Sequence, residues 1–339
     1  MTSTLLAFSV ALVGTVGGVW ALIPILRRRL MDRVTDRSGH TVPTPRGAGL
    51  VVVPAILIAW VVASGGPAHA WPFLVGALAL AAVSFIDDRQ GHVPPWVRLG
   101  AQAGAVILPL VVMPGLVDGL GLPWPGWVLI AGTVISGVWF LNLFNFMDGA
   151  DGLSAVQTSV IAGGVLAVLT LLPNGLGTPA GTLAAALLGG AIGFLVWNRP
   201  VASIFLGDVG SIPMGYLLAV LLLTQPVPPV WAIGLILPAY YWLDATSTVV
   251  ARFLARKRVW HAHREHAYQR GVDRGLSVPR LMFHVGLAGV IMVGLARWAA
   301  DTGTAQAGLI AAAIAWAIAG VLIVHLRTFP RPGGPRRRH

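Results

Sequence analysis

The side chains that could do chemistry in this 339-residue chain gather in five short polar stretches. The central one is Asn142-Leu143-Phe144-Asn145-Phe146-Met147-Asp148-Gly149-Ala150-Asp151-Gly152-Leu153, set between apolar runs at 127–140 and 155–172. Amides and carboxylates at membrane depth are costly and are usually kept because they bind or react. Their oxygens are hard ligands suited to Mg²⁺, and the glycines allow the backbone to turn tightly beside a ligand. A second stretch opens with Asp87-Asp88. Neighbouring carboxylates repel and need a cation, a proton or solvent, which suits them to metal binding or to work as a base. Position 91 is Gly, so this is not the Asp-Asp-x-x-Asp of prenyl diphosphate synthases. A third, Phe205-Leu206-Gly207-Asp208-Val209-Gly210-Ser211, offers one carboxylate between glycines at the start of an apolar run. Asp208 there could face a cation while Ser211 caps the following helix.

The remaining two stretches are cationic. Arg46 follows Pro43-Thr44-Pro45 at the edge of an apolar run, where a guanidinium can hold a phosphate. His261, His263, Arg264 and His266 lie among Arg252, Arg256, Lys257, Arg258 and Arg270, and could form a donor array for a pyrophosphate. A zinc site at His263 and His266 is disfavoured by the neighbouring Arg and by the absence of cysteine. Carboxylates opposite cations are what Mg²⁺-dependent phosphoryl transfer on a diphosphate needs, because both metal and cations neutralise developing charge.

The elements that must position these groups are membrane helices. Hydrophobic residues make up 56% of the chain and charged ones 10%, against roughly 25% charged in a soluble domain. Apolar runs at 4–26, 47–64, 71–86, 98–113, 126–142, 154–173, 179–197, 210–224, 229–249, 281–299 and 305–326 predict about eleven spans in an all-α bundle. The first run has neither a basic leader nor a cleavage site and reads as a retained span. Of the 23 Lys and Arg, 22 fall in alternate loops and the tail, Arg297 being the exception. The positive-inside rule then puts the amino terminus outside, the carboxyl terminus inside, and all five polar stretches on the cytoplasmic face. The net charge of +11 is thus a topology and headgroup signal rather than a nucleic-acid one. Residues 1–326 read as one transmembrane catalytic domain, and 327–339 as a basic cytoplasmic tail expected to be disordered. A transporter or lipid flippase with a cytoplasmic cation site is the alternative. It predicts acids on both faces or mid-span, whereas 10 of the 12 acids lie in or beside cytoplasmic loops.

In order and in side of the membrane, these motifs resemble the polyprenyl-phosphate N-acetylhexosamine-1-phosphate transferases. That family includes the phospho-MurNAc-pentapeptide translocase and the GlcNAc-1-phosphate transferases. The matching pieces are Pro43 to Arg46, Asp87-Asp88, Asn142-x-x-Asn145-x-x-Asp148-Gly-x-Asp151-Gly-Leu153, Phe205 to Ser211 and the His-rich stretch. The resemblance implies transfer of a sugar 1-phosphate from a UDP-N-acetylhexosamine to undecaprenyl (polyprenyl) phosphate, with release of UMP. It implies Mg²⁺, or Mn²⁺ in its place, on Asp208 and Asn145, and activation of the lipid phosphate by Asp87. Asp88, Asp148 and Asp151 would support the metal and nucleotide, while Arg46, Asn142, His261, His263, Arg264 and His266 would meet substrate. The expected setting is the bacterial inner membrane, with the lipid bilayer as partner, a homodimer as an open assembly, and no nucleic acid. His92 where the peptidoglycan enzyme has Lys, and a fifth stretch without three consecutive histidines, look more like the branch that primes O-antigen-type glycans. That branch transfers N-acetylfucosamine, N-acetylquinovosamine or GlcNAc.

Overall fold

A computed structural model describes residues 1–32, 43–68, 70–90, 93–113, 115–258 and 263–330. His261, His92 and the tail beyond Pro330 lie outside the described residues. Among the described residues the regular structure is helical apart from one small antiparallel pair, Met31–Asp32 (β1) with Thr44–Pro45 (β2). The helices are α1 Thr2–Arg29, α2 Gly49–Ala63, α3 Trp71–Gln90, α4 Pro95–Val112, α5 Gly126–Phe146, α6 Leu153–Leu169 and α7 Pro179–Asn198. They continue with α8 Asp208–Thr224, α9 Val230–Ile236, α10 Ala239–Leu254, α11 Ala267–Asp273, α12 Val278–Thr302 and α13 Ala305–Thr328.

Seven of these, α1, α3, α4, α5, α7, α12 and α13, are long and apolar enough to cross a membrane, and the chain is a multi-pass membrane protein. Each of the eleven predicted runs coincides with helix, but α2, α6 and α8 are apolar helices of only 15 to 17 residues. The run at 229–249 differs more, being split into α9 and α10 at Leu237-Pro238. Proline has no N–H to continue the ladder and its ring crowds the preceding turn. After the break α10 runs on to Leu254, beyond the predicted end of the run, with Asp244 buried within it.

Small residues set the closest helix approaches, as expected where apolar area alone gives no drive to associate. At Gly49 a Cβ would lie 2.2 Å from the Gly210 Cα, so the first turns of α2 and α8 meet backbone to backbone. Gly189 likewise faces the Phe8 carbonyl of α1, at 2.3 Å from a built Cβ. Of the pair Gly163-Gly164, only Gly164 is a packing position, against Leu237; a Cβ at Gly163 meets nothing within 4 Å.

Candidate active site

Main-chain bonds stitch two of the polar stretches together, and side-chain bonds add two more. Phe205 N–H donates to Pro45 O at 2.8 Å, while Gly47 and Ala48 N–H both donate to Phe205 O at 3.0 Å. This short parallel bridge sets Arg46 beside the loop that leads to Asp208. Gly207 has φ +74°, and a Cβ there would lie 3.1 Å from Asp88 Oδ2, so glycine both makes the turn and leaves room for the carboxylate. Asp88 then accepts the Val209 N–H at 3.0 Å, from the first turn of α8. Arg46 closes the other side, donating from Nη2 to Asp88 O at 2.6 Å with Nη1 3.8 Å from Oδ1.

Asn145, on the last turn of α5, donates from Nδ2 to Asp208 Oδ1 at 2.9 Å and to Ser211 Oγ at 2.8 Å. Asp148 follows in the turn after α5 and is capped by the Ser154 hydroxyl. Burial pushes its carboxyl up to about 7 despite that bond, and the Asp208 and Asp88 charges add to the rise. Asp88, Asp148, Asp208 and Asn145 therefore form one mutually interacting group.

The other acids and amides bond to partners elsewhere. Asp87 is held by Arg98, Nη1 to Oδ2 at 2.7 Å, and by the Val93 N–H at 3.2 Å. Asp151 accepts the Ala202 N–H at 3.0 Å and so ties the central turn to the 199–206 loop. Asn142 exchanges bonds with buried Gln102 of α4 at 2.7 and 3.3 Å, locking α4 to α5.

The histidine stretch docks on the same end of α5. Tyr268 Oη donates to Phe146 O at 3.2 Å and occupies the space where a Gly149 Cβ would stand. His263 stacks on His266 with centroids 4.9 Å apart, and His266 on Tyr268 at 5.9 Å. Burial, then His263, Arg327 and Arg252, hold His266 down to about 3, so it is neutral at pH 7. Burial and Arg252 lower His263 as well. Arg264 pairs with Asp273 at 2.6 Å, and Glu265 is gripped by Arg252, Lys257 and Arg270.

Among the described residues no three His, Asp or Glu side chains stand close enough to make a closed metal cage. Mg²⁺ does not require one, since it usually takes one or two carboxylates and fills its shell with water and substrate phosphate. The residues fit such an ion. Asp208 and Asp88 press on a buried Asp148, and Asn145 offers a carbonyl oxygen beside them.

Sequence reasoning missed Asp244, Arg98, Arg252 and Tyr268. Asp244 gave a signal, being the one carboxylate inside a predicted span, which by itself marks a site. Arg98 and Arg252 read as topology charges, and nothing in the sequence shows which basic residue pairs with an acid.

The sequence profile of glycosyl transferase family 4 matches residues 70–225, which run from α3 to the end of α8. A probable undecaprenyl-phosphate N-acetylglucosaminyl 1-phosphate transferase of Bacillus subtilis is 28% identical over 291 residues, covering 80% of this chain and 79% of that one. A phospho-N-acetylmuramoyl-pentapeptide-transferase of Heliobacterium modesticaldum is 34% identical over 66% of this chain and 76% of its own. The protein of that name from Carboxydothermus hydrogenoformans is 30% identical over 74% and 82%. The chain belongs with them to glycosyl transferase family 4, the polyprenyl-phosphate hexosamine-1-phosphate transferases that its motifs resemble.

Proposed function

We propose that this protein transfers an N-acetylhexosamine 1-phosphate from a UDP-sugar to polyprenyl phosphate, giving polyprenyl-diphosphate-sugar and UMP, at the cytoplasmic face of a bacterial inner membrane. The observation that carries the reading is the half-buried group Asp88, Asp148, Asp208 and Asn145, with Arg46 bonded to Asp88 and the His263–His266 stretch docked on the end of α5. The family relationship supplies the reaction class.

A lipid-phosphate oxygen forms the new bond to the sugar-bearing phosphorus. The bridging P–O bond breaks, and UMP leaves with the electron pair. Phosphate is already an anion at pH 7, so the chain's task is to position it and offset charge. Mg²⁺, when bound at Asp208 and Asn145, supplies neutralisation of charge on the diphosphate. Arg46, His263, Arg264 and His266 hold diphosphate oxygens, while Asp87 orients the Arg98 guanidinium towards the lipid phosphate. Attack is direct rather than through an aspartyl intermediate, because Asp87 is paired with Arg98 and Asp148 with Ser154. The eleven spans, with the amino terminus outside, follow from the charge separation. The donor is a simple N-acetylhexosamine, on the strength of His92 and the interrupted histidine run.

Purified protein in detergent with Mg²⁺ and undecaprenyl phosphate, offered UDP-GlcNAc, UDP-N-acetylfucosamine, UDP-N-acetylquinovosamine and UDP-MurNAc-pentapeptide in turn, is expected to release UMP with one of the first three. Release only with the pentapeptide donor contradicts the sugar assignment. No release with any donor contradicts the reaction.

A further inference from the structure

Asp244 lies in α10 with no exposure at all, and it is not part of the carboxylate group described above. Both of its oxygens accept the Ala267 N–H, at 2.9 and 3.0 Å, where the histidine stretch turns into α11. Tyr240 Oη donates to Oδ2 and Thr248 Oγ1 to Oδ1, each at 3.3 Å. Two cations or potential cations face it from other elements: Arg327 of α13 at 3.7 Å and His266 Nδ1 at 3.9 Å. The Nδ1 of His266 is buried and has no hydrogen-bond partner among the described residues.

Stability alone is a poor reason for this arrangement. A buried carboxylate with one arginine at 3.7 Å recovers little of its desolvation cost, and apolar residues in its place are often as stable or more so. What the arrangement does supply is geometry. Asp244 fixes the main chain at 267, the Arg252, Lys257 and Arg270 charges fix Glu265, and His266 is held between them. The ring of His266 is then stacked between His263 and Tyr268, with the Asp244 carboxylate towards its Nδ1 side.

We propose that Asp244 is a positioning residue for the transfer reaction: its carboxylate clamps the Ala267 amide and orients His263, Arg264 and His266 towards the diphosphate of the UDP-sugar. This rests on the reading that the histidine stretch meets the donor. Asp244 touches no substrate itself, so its loss weakens donor binding and leaves the lipid phosphate site unaffected.

Two variants test the clamp from its two ends. Asp244→Asn keeps the shape and removes the charge. Ala267→Pro removes the N–H that Asp244 accepts, at the first position of α11, where proline suits a helix. His266 is already extended there, with φ −62° and ψ 152°, the conformation that a residue before proline prefers. Each variant is expected to raise the UDP-sugar KM about tenfold while the KM for undecaprenyl phosphate stays within about twofold. The double variant is expected to be no worse than the weaker single, since both break one contact. Hydrogen exchange of the 263–270 amides should accelerate in both, while that of α10 stays slow.

Thermal midpoints that fall while the donor KM and the exchange stay at wild-type values would overturn the proposal. So would equal rises in both KM values, or faster exchange with no change in donor KM. Wild-type protein that releases no UMP from any donor contradicts the reaction instead. Exchange then decides the clamp alone: acceleration in both variants sustains it, and unchanged exchange removes it.

Discussion

Two buried titrating groups at the site pull the stability of the protein in opposite directions with pH. His266 is held at about 3, against an ordinary 6.5, so the unfolded chain takes up a proton that the folded one refuses between those values. Its contribution is fully present above about pH 6.5 and is lost as pH falls towards 3. Thermal unfolding in detergent should show the midpoint dropping from pH 7 to pH 5, with a shallower drop in His266→Gln; identical slopes would remove His266 as the cause. Asp148 runs the other way, raised from 3.8 to about 7, so the folded protein loses stability as pH rises through that window. In EDTA at pH 8, Asp148→Asn should melt several degrees above wild type, because the amide keeps the Ser154 bond and drops the charge. At pH 4 the two should coincide, and a lower midpoint at pH 8 would speak against a buried, charge-crowded Asp148. The residue types of these groups were legible from the chain as chemistry, but their partners were not. Asn142 and Asp151 stand in the same motif as Asn145 and Asp148, yet they face Gln102 and Ala202. Asn142 and Asn145 stand one turn apart on the same side of α5, and Asp148 and Asp151 lie in the turn before α6. Depth along the helix and the path of the turn therefore decide between site and scaffold, and composition records neither.

At the scale of elements, the bridge before α2 holds Arg46 and the first turn of α8 holds Asp208, and they come together because Gly49 and Gly210 let the two helix starts touch. A methyl group at Gly49 would stand 2.2 Å from the Gly210 Cα and must drive the two helix starts apart. Gly49→Ala is therefore expected to cost about 1–3 kcal/mol and most of the activity. Gly163→Ala, in open space inside α6, should be neutral or slightly stabilising, as Ala is the better helix former. Thermal midpoints and UMP release of the two variants check this, and equal effects would contradict the packing account. Helix existence was readable almost throughout, since an apolar run of 17 to 25 residues has few other options in a bilayer. The α9–α10 break was not anticipated, although Pro238 stands in the run, because a proline inside a membrane helix often only kinks it. Asp244 follows that break in α10, and it was missed although a carboxylate inside an apolar run marks itself.

The whole molecule places its chemistry at one end of a helical bundle. Charge separation predicts which end that is, and the cysteine-free chain lends itself to labelling. A membrane-impermeant maleimide should react with Asp118→Cys in intact spheroplasts and with Arg256→Cys only after permeabilisation; the reverse pattern would invert the orientation. The central proposal is that the Asp208–Asn145 pair holds the ion on which phosphosugar transfer depends. The most direct test is Mg²⁺-titrated UMP release by Asp208→Ala beside wild type, with gel filtration and thermal melting to show that both are folded. Turnover is expected to fall by at least about a hundredfold at every Mg²⁺ concentration, in line with the loss of a central charge-stabilising group. Full Mg²⁺-dependent turnover by the variant would contradict it.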